Sequence, residues 1–169
     1  MLRGGLVRSV RRRTFGRDRA AVRHYGHRGR SGQLHYLCYD SAKFDAIREQ
    51  GATATFRGAI VISHGFTEFA EKYDELVWYF LLAGYSVCVL EHRGHGKSAR
   101  DVDNRCMVWI DDWQRYVADL AGFAETIGQQ YAAGMPLNLF CHSMGGGIGR
   151  GRVGAIPPPC STKRCSLPR

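Results

Sequence analysis

Three short apolar runs, each followed by polar or glycine residues, predict the strands of a buried sheet. They are Ala59–Ile62, Tyr85–Leu90 and Pro136–Phe140. Continuous apolar strands of this length are typical of a parallel sheet that is covered on both faces. An earlier segment, Gln33–Tyr39, alternates polar and apolar residues and predicts one more strand. Residues 41–57 are mixed in character, and no element is placed there.

Two amphipathic segments between these runs predict helices that pack on the sheet. Residues 71–83 carry an apolar stripe at helical spacing, and Gly84 is placed to end that helix in a left-handed conformation. Residues 111–132 form the second predicted helix. Its apolar face comprises Trp113, Tyr116, Val117, Leu120, Ala124, Ile127 and Tyr131. The alternation of strands and helices predicts an α/β fold with a mostly parallel sheet and right-handed crossovers.

The last apolar run leads into a glycine-rich turn with a serine at its tip, Cys141-His142-Ser143-Met144-Gly145. A tight strand-to-helix turn holds a serine hydroxyl clear of the sheet, where a base can take its proton and the oxygen can act as a nucleophile. Such a turn needs small residues two positions before and after the serine. Position 145 is Gly, whereas position 141 is Cys where Gly is usual. We therefore predict Ser143 as a nucleophile.

Three motifs, each at the end of a predicted strand, resemble the lysophospholipase and monoacylglycerol-lipase branch of the α/β-hydrolases, which includes serine-aminopeptidase-like members. The motifs are His64-Gly65-Phe66 and the segments 91–98 (EHRGHGKS) and 142–146 (HSMGG), and the resemblance covers roughly residues 30–149. It implies an α/β-hydrolase fold and hydrolysis of acyl esters of lipids or other small molecules through an acyl-enzyme. It implies no cofactor and no metal.

The same resemblance implies roles for individual residues. Ser143 would be the nucleophile, and the backbone N–H groups of Phe66 and Met144 would form the oxyanion hole that stabilises the tetrahedral intermediate. The supporting residues of these loops would be His64, Gly65, His142 and Gly145. Peptide hydrolysis within the same fold remains an alternative, because the family's cap selects the substrate and no part of this sequence matches a cap.

The acid and the base histidine of the family have no counterpart in this sequence. In the family both follow the nucleophile, and the residues after Ser143 match neither. We expect the histidines at positions 64, 92, 95 and 142 to support loops rather than to replace the base. A serine without its base loses most of its activation. The sequence therefore predicts a serine hydrolase that is truncated after the nucleophile turn and inactive.

The residues after Ile148 carry no helix or strand pattern, although the fold requires a helix there. Glycines, arginines and three consecutive prolines follow instead. Read one frame over from Ala155 onward, the codons permit residues that suit a helix end, a turn and an apolar strand start. We interpret residues 31–149 as the N-terminal part of a hydrolase domain and residues 150–169 as a frameshifted, disordered tail. A natural short protein with a disordered tail is the alternative.

The formal net charge of +9 is concentrated at the start of the chain, where residues 1–30 hold ten Arg and one Asp. We interpret this segment as a basic, disordered leader. In the alternative function the chain is not catalytic, and the leader binds anionic surfaces or nucleic acid. For the hydrolase, we expect peripheral contact with an anionic membrane but neither nucleic acid nor an obligate partner.

The six cysteines include no CxxC pair, and no secretory signal pattern is present. Their spacing does not suit a zinc site. These features predict reduced thiols and a cytoplasmic location.

Overall fold

A computed structural model describes residues 32–41 and 55–155, with side chains described as far as Gly151. The basic leader, most of the mixed segment 41–57 and residues 156–169 of the predicted tail lie outside these residues. Within them, helices pack on both faces of one sheet. The predicted α/β class is confirmed.

The sheet contains four strands among the described residues. They are β1 (Tyr36–Tyr39), β2 (Gly58–Ser63), β3 (Tyr85–Leu90) and β4 (Leu137–Cys141). The spatial order is β1-β3-β2-β4; β2 pairs in parallel with β3 and with β4, and β1 pairs antiparallel with β3. The mostly parallel sheet is therefore confirmed, and the predicted nucleophile turn follows strand β4 beside β2.

Side chains of alternate residues in the central strands point to opposite faces of the sheet and pack into two separate apolar layers. On one face Val61, Cys88 and Leu90 pack with residues of the helical segment 114–132 and with Ile148. On the other face Ile60, Ile62, Val87 and Val89 pack with Val77 and Leu81 of the helix between β2 and β3. All six residues of β2 are buried, as a central strand covered on both sides requires.

The first helical segment consists of a 3-10 turn, Ala70–Tyr73, followed by α1, Asp74–Leu82. The predicted stripe lies on the sheet, with Val77 and Leu81 fully buried. Gly84 has φ +90°, and its N–H donates to the Leu81 carbonyl oxygen at 3.0 Å. The predicted glycine end of the helix is thus confirmed.

The second helical segment consists of α2 (Gln114–Phe123), a π-helical turn (Ala124–Gly128) and α3 (Gln129–Ala132). It begins three residues later than predicted, and the Asp112 carboxylate accepts the Gln114 N–H at 2.9 Å in the turn before the helix. The predicted burial of Trp113 is wrong for the same reason: it precedes the first helical turn, and 40% of it is exposed.

A fourth helix, α4, runs from Met144 to Ala155. The expectation that regular structure ends at Ile148 is wrong. Ile148 of this helix is buried in the core, and the helix also approaches its neighbours closely through glycines: a Cβ at Gly149 would lie 2.5 Å from Cys141 Sγ, and one at Gly151 would lie 2.8 Å from Val117 Cγ2. A helix that approaches its neighbours through glycine leaves no apolar stripe to detect. The domain boundary after residue 149 and the frameshifted tail stay predictions.

None of the helices in the described part of the chain is long and apolar enough to cross a membrane.

Candidate active site

The predicted nucleophile occupies a sharp turn between β4 and α4. Ser143 is exposed, has φ +51° and lies between the last strand residue, Cys141, and the first helix residue, Met144. A non-glycine residue in this left-handed region is uncommon, and such strain clusters at functional sites. The turn is fixed to the sheet because the His142 N–H donates to the carbonyl oxygen of Ser63, the last residue of β2, at 3.0 Å. The geometry presents a hydroxyl above the sheet.

The close packing around the turn explains why small residues occur there. A Cβ on Gly145 would lie 2.2 Å from the backbone oxygen of Ser63, so only glycine fits between α4 and β2. Cys141 replaces the usual glycine on the other side of the serine, and Gly149 provides the space for its sulfur. Burial raises the pKa of Cys141 to about 11, so its thiol stays protonated at neutral pH.

The loop after β2 approaches this turn with its backbone constrained. The Gly65 N–H donates to Glu68 Oε2 at 2.8 Å, while the Gly65 oxygen accepts from His64 Nδ1 at 2.7 Å. Within residues 32–41 and 55–155, the amides of Phe66 and Met144 donate no hydrogen bond. The two amides predicted for the oxyanion hole are therefore free of competing acceptors in this part of the chain.

Glu68 is a site residue that the sequence reasoning missed. Its side chain is 7% exposed and accepts from Tyr73 Oη at 2.5 Å, Lys72 Nζ at 2.5 Å and His142 Nδ1 at 3.1 Å. Burial raises the pKa of Glu68, but these donors and the Gly65 N–H outweigh it and hold the pKa well below its ordinary value. In the sequence, the feature that could have indicated Glu68 is its position three residues after Gly65 in the first motif.

Three histidine rings lie in mutual contact next to the loop after β2, in tilted and edge-to-face arrangements. The ring of His64 lies 4.7 Å from that of His92 and 5.1 Å from that of His95, centroid to centroid. His64 Nε2 accepts the His92 backbone N–H at 2.9 Å, so Nδ1 carries the proton and donates to Gly65. Burial lowers the pKa of all three rings. Repulsion from neighbouring rings lowers the pKa of His64 and His92 further, and repulsion from Arg100 lowers the pKa of His95. These neutral rings support the loop.

The cluster does not form a metal centre. In the stretches that the structure describes, no group of three or more His, Cys, Asp or Glu side chains is arranged to hold a metal ion.

The segment 91–98 wraps around a buried carboxylate. Glu91 accepts from the Lys97 N–H at 2.7 Å, from the Ala70 N–H at 2.9 Å and from His35 Nδ1 at 2.8 Å. Gly96 has φ +49°, and a Cβ there would lie 2.2 Å from the Glu91 carboxylate. This segment therefore links the residue before β1, the end of β3 and the start of the first helical segment.

All five histidines in the described ranges have contacts away from the Ser143 hydroxyl. Besides the rings of His64, His92 and His95, His35 contacts Glu91, and the exposed His142 presents Nδ1 to Glu68. Among these residues no hydrogen bond joins Ser143 Oγ to a base. The arrangement contains a strained serine and two free amides, which suits acyl transfer, but this part of the chain does not activate the serine.

Comparison with known proteins identifies the family to which the chain is similar. Residues 54–160, more than half of the chain, match the family model for serine aminopeptidase, S33. The chain is 32% identical to the monoglyceride lipase of Saccharomyces cerevisiae over 119 residues, which cover 69% of this chain and 37% of that protein. It is 34% identical to the monoacylglycerol lipase of Mycolicibacterium smegmatis over 92 residues, covering 54% of this chain and 31% of the relative.

Solved structures show the same fold. A carboxyl esterase from Bacillus coagulans, crystallised with glycerol, superposes with a TM-score of 0.61 at 24% identity, over 82% of this chain and 40% of the esterase. The S. cerevisiae monoglyceride lipase, in a soluble variant with a substrate analogue, gives 0.58 at 24% identity, over 80% and 38% of the two chains. This chain thus spans well under half the length of the proteins it matches. It belongs to the α/β-hydrolases, within the serine aminopeptidase S33 family.

Proposed function

We propose that this chain carries the nucleophile part of a serine hydrolase that cleaves acyl esters of the monoacylglycerol or lysophospholipid class. In the reaction Ser143 Oγ attacks the ester carbonyl, the Phe66 and Met144 amides bind the oxyanion, and water releases the fatty acid. The observation that carries the proposal is Ser143 at φ +51° at the strand-to-helix turn.

The relatives favour an ester over a peptide. The S. cerevisiae and M. smegmatis proteins are named as lipases of monoglycerides, and an Escherichia coli relative at 34% identity is named lysophospholipase L2. Residues His64, Gly65, His142 and Gly145 hold the two loops in the geometry described above. Their roles as supporting residues are part of the proposal.

We also propose that residues 1–169 alone do not turn over esters. The described histidines are engaged elsewhere, and the remaining two, His24 and His27, belong to the basic segment before residue 31. Oxyanion stabilisation without a base leaves only a residual acceleration over water. The predicted truncation, the cytoplasmic location and contact with an anionic membrane remain parts of this proposal.

The test is the hydrolysis of mono-oleoylglycerol, measured by released fatty acid, for the 169-residue chain and its Ser143→Ala variant. The proposal predicts equal background rates for the two. Serine-dependent turnover by the 169-residue chain would overturn the claim of inactivity.

The role of Ser143 is tested in the protein encoded by the frame-corrected gene. There the wild type should release fatty acid, and Ser143→Ala should lower the rate by about 10³-fold or more. An unchanged rate in that variant would refute the assignment of Ser143 as the nucleophile.

A further inference from the structure

One buried carboxylate connects the two loops that form the candidate site. Glu68 lies in the loop after β2, which contains Gly65 and Phe66 and is called the oxyanion loop. His142, 74 residues later, precedes the proposed nucleophile. A single oxygen, Oε2, accepts from the Gly65 N–H at 2.8 Å, from Tyr73 Oη at 2.5 Å and from His142 Nδ1 at 3.1 Å. The other oxygen accepts from Lys72. The carboxylate therefore joins the loop after β2 to the turn after β4.

The hydrogen bond from the Gly65 N–H to Glu68 determines which backbone amide of the loop can donate to a substrate oxyanion. The Gly65 N–H points at Glu68 and is not available to a substrate oxyanion. The next amide along the loop, that of Phe66, has no acceptor within residues 32–41 and 55–155. Because adjacent peptide planes are linked through few torsions, fixing the Gly65 amide restricts the direction of the Phe66 amide.

The carboxylate is ionised across the neutral range, since its donors hold the pKa well below the ordinary value. An ionised acceptor makes stronger and shorter hydrogen bonds than a neutral one. Space is also limited at this point: a Cβ on Gly65 would lie 2.9 Å from both Glu68 Oε2 and His142 Nδ1. The three residues therefore meet without a gap.

We propose that Glu68 is a positioning residue that holds the oxyanion loop against the nucleophile turn, so that the Phe66 amide faces the oxygen that develops on a substrate bound at Ser143. This inference rests on the proposed role of Ser143. Hydrogen exchange at Gly65 does not involve the serine, so it tests the role of Glu68 separately from the role of Ser143.

The first measurement is amide hydrogen exchange by ¹H–¹⁵N NMR on the full chain. Glu68→Ala removes the acceptor of the Gly65 N–H, and exchange at Gly65 should accelerate by about tenfold or more. Glu68→Gln keeps an oxygen of the same reach and should restore most of the protection. Glu71→Ala is the matched control, because Glu71 follows in the same segment and bonds Lys97 instead. Unchanged exchange at Gly65 in Glu68→Ala overturns the proposal.

The second measurement is the rate at which a fluorophosphonate labels Ser143. The Ser143 oxygen forms a bond to phosphorus, the phosphorus–fluorine bond breaks, fluoride leaves, and the hydroxyl proton passes to the buffer. Because no base contacts Ser143 in the described residues, this slow reaction isolates the contribution of the oxyanion loop. Glu68→Ala should lower the rate about tenfold or more, Glu68→Gln should recover it to within a few-fold, and Glu71→Ala should leave it unchanged.

The outcomes separate the two proposals. Faster Gly65 exchange with an unchanged labelling rate would show that Glu68 is only structural and would overturn its positioning role. Absence of labelling at Ser143 in the wild type would count against the proposed function, while the exchange measurement would still decide whether Glu68 holds the loop. If the alanine variant does not fold, Glu68→Met takes its place, because methionine fills the same space without an acceptor oxygen, and the same outcomes apply.

Discussion

The centre of the sheet and its β4 edge are built in different ways. All six residues of β2 are buried, whereas β4 has one neighbour among the described strands and its residues are half-buried or exposed. The centre is held by apolar side chains, and a buried ion pair joins the loop after β3 to helix α2 beside it. At the edge, α4 packs Ile148 into the core and also approaches its neighbours through Gly145, Gly149 and Gly151. Side chains therefore define the centre, whereas the edge depends in addition on close contacts that only glycine permits.

The largest expected effect lies in the central region, at the buried pair of Arg93 and Asp119. Their side chains are 3% and 1% exposed and are joined by two hydrogen bonds, of 2.6 and 3.0 Å. Asp119→Ala removes the carboxylate that pairs with a buried guanidinium and should lower the free energy of unfolding by about 3–5 kcal/mol. Urea denaturation measures this change.

The control for that variant is Asp111→Ala. Asp111 is 41% exposed, and its partner Arg115 also contacts Asp101. Its loss should cost less than about 1 kcal/mol. Equal losses for the two variants would show that the Arg93–Asp119 pair is no more important than a pair whose carboxylate is exposed.

The second effect is a loss of stability in mild acid. Burial lowers the pKa of His64, His92 and His95 below 6.5, so the unfolded chain binds protons that the folded chain does not. Stability should be constant above about pH 7 and should fall as the pH drops below about 6.5, by up to about 4 kcal/mol at pH 5.5 for three such rings. Denaturation midpoints between pH 7.5 and 5.5 measure the slope.

His95→Asn sharpens this prediction. An asparagine N–H can replace the His95 Nδ1 contact to the Arg93 carbonyl oxygen without titrating. The pH dependence should become shallower by about one third. A slope identical to that of the wild type would exclude His95 from the acid response.

A smaller loss is expected at the edge from Gly145→Ala. The new Cβ meets the Ser63 backbone oxygen, which cannot move without disturbing β2. Overpacking of this kind costs about 1–3 kcal/mol. Thermal unfolding followed by circular dichroism checks the value, and a variant as stable as the wild type would contradict the close approach of α4 to β2.

The smallest effect is a gain, from Gly146→Ala in the same helix. Nothing lies within 4 Å of a Cβ at this position. Alanine favours a helix over glycine by about 1 kcal/mol, so this variant should be slightly more stable than the wild type. The two neighbouring substitutions should thus have opposite signs in one thermal unfolding series. A loss at Gly146 would mean that the helix tolerates no added side chain at all.

The sequence predicted the centre well because side-chain patterns report side-chain contacts. The runs at β2 and β3, the stripe of α1 and the end of that helix at Gly84 all appear where the pattern places them. The hydrophobic pattern did not predict the length of α4, because the close contacts of Gly149 and Gly151 carry no hydrophobic signal.

The candidate site was predictable in part for a similar reason. Ser143 and its glycine follow from spacing, because a turn that exposes a hydroxyl requires small neighbours. Glu68 could not be assigned a role from spacing alone. Its partners Tyr73 and His142 are brought to it by the helix start and by the turn after β4, which only the tertiary structure shows.

The central claim is that Ser143 is the nucleophile of an acyl-ester hydrolase site. The most direct measurement is peptide-resolved mass spectrometry of the full chain after prolonged treatment with a fluorophosphonate, beside the Ser143→Ala variant. The account predicts a slow adduct on the peptide that contains Ser143, formed ahead of any other serine and absent from the variant. An adduct spread evenly over the serines, or one retained in Ser143→Ala, would contradict it.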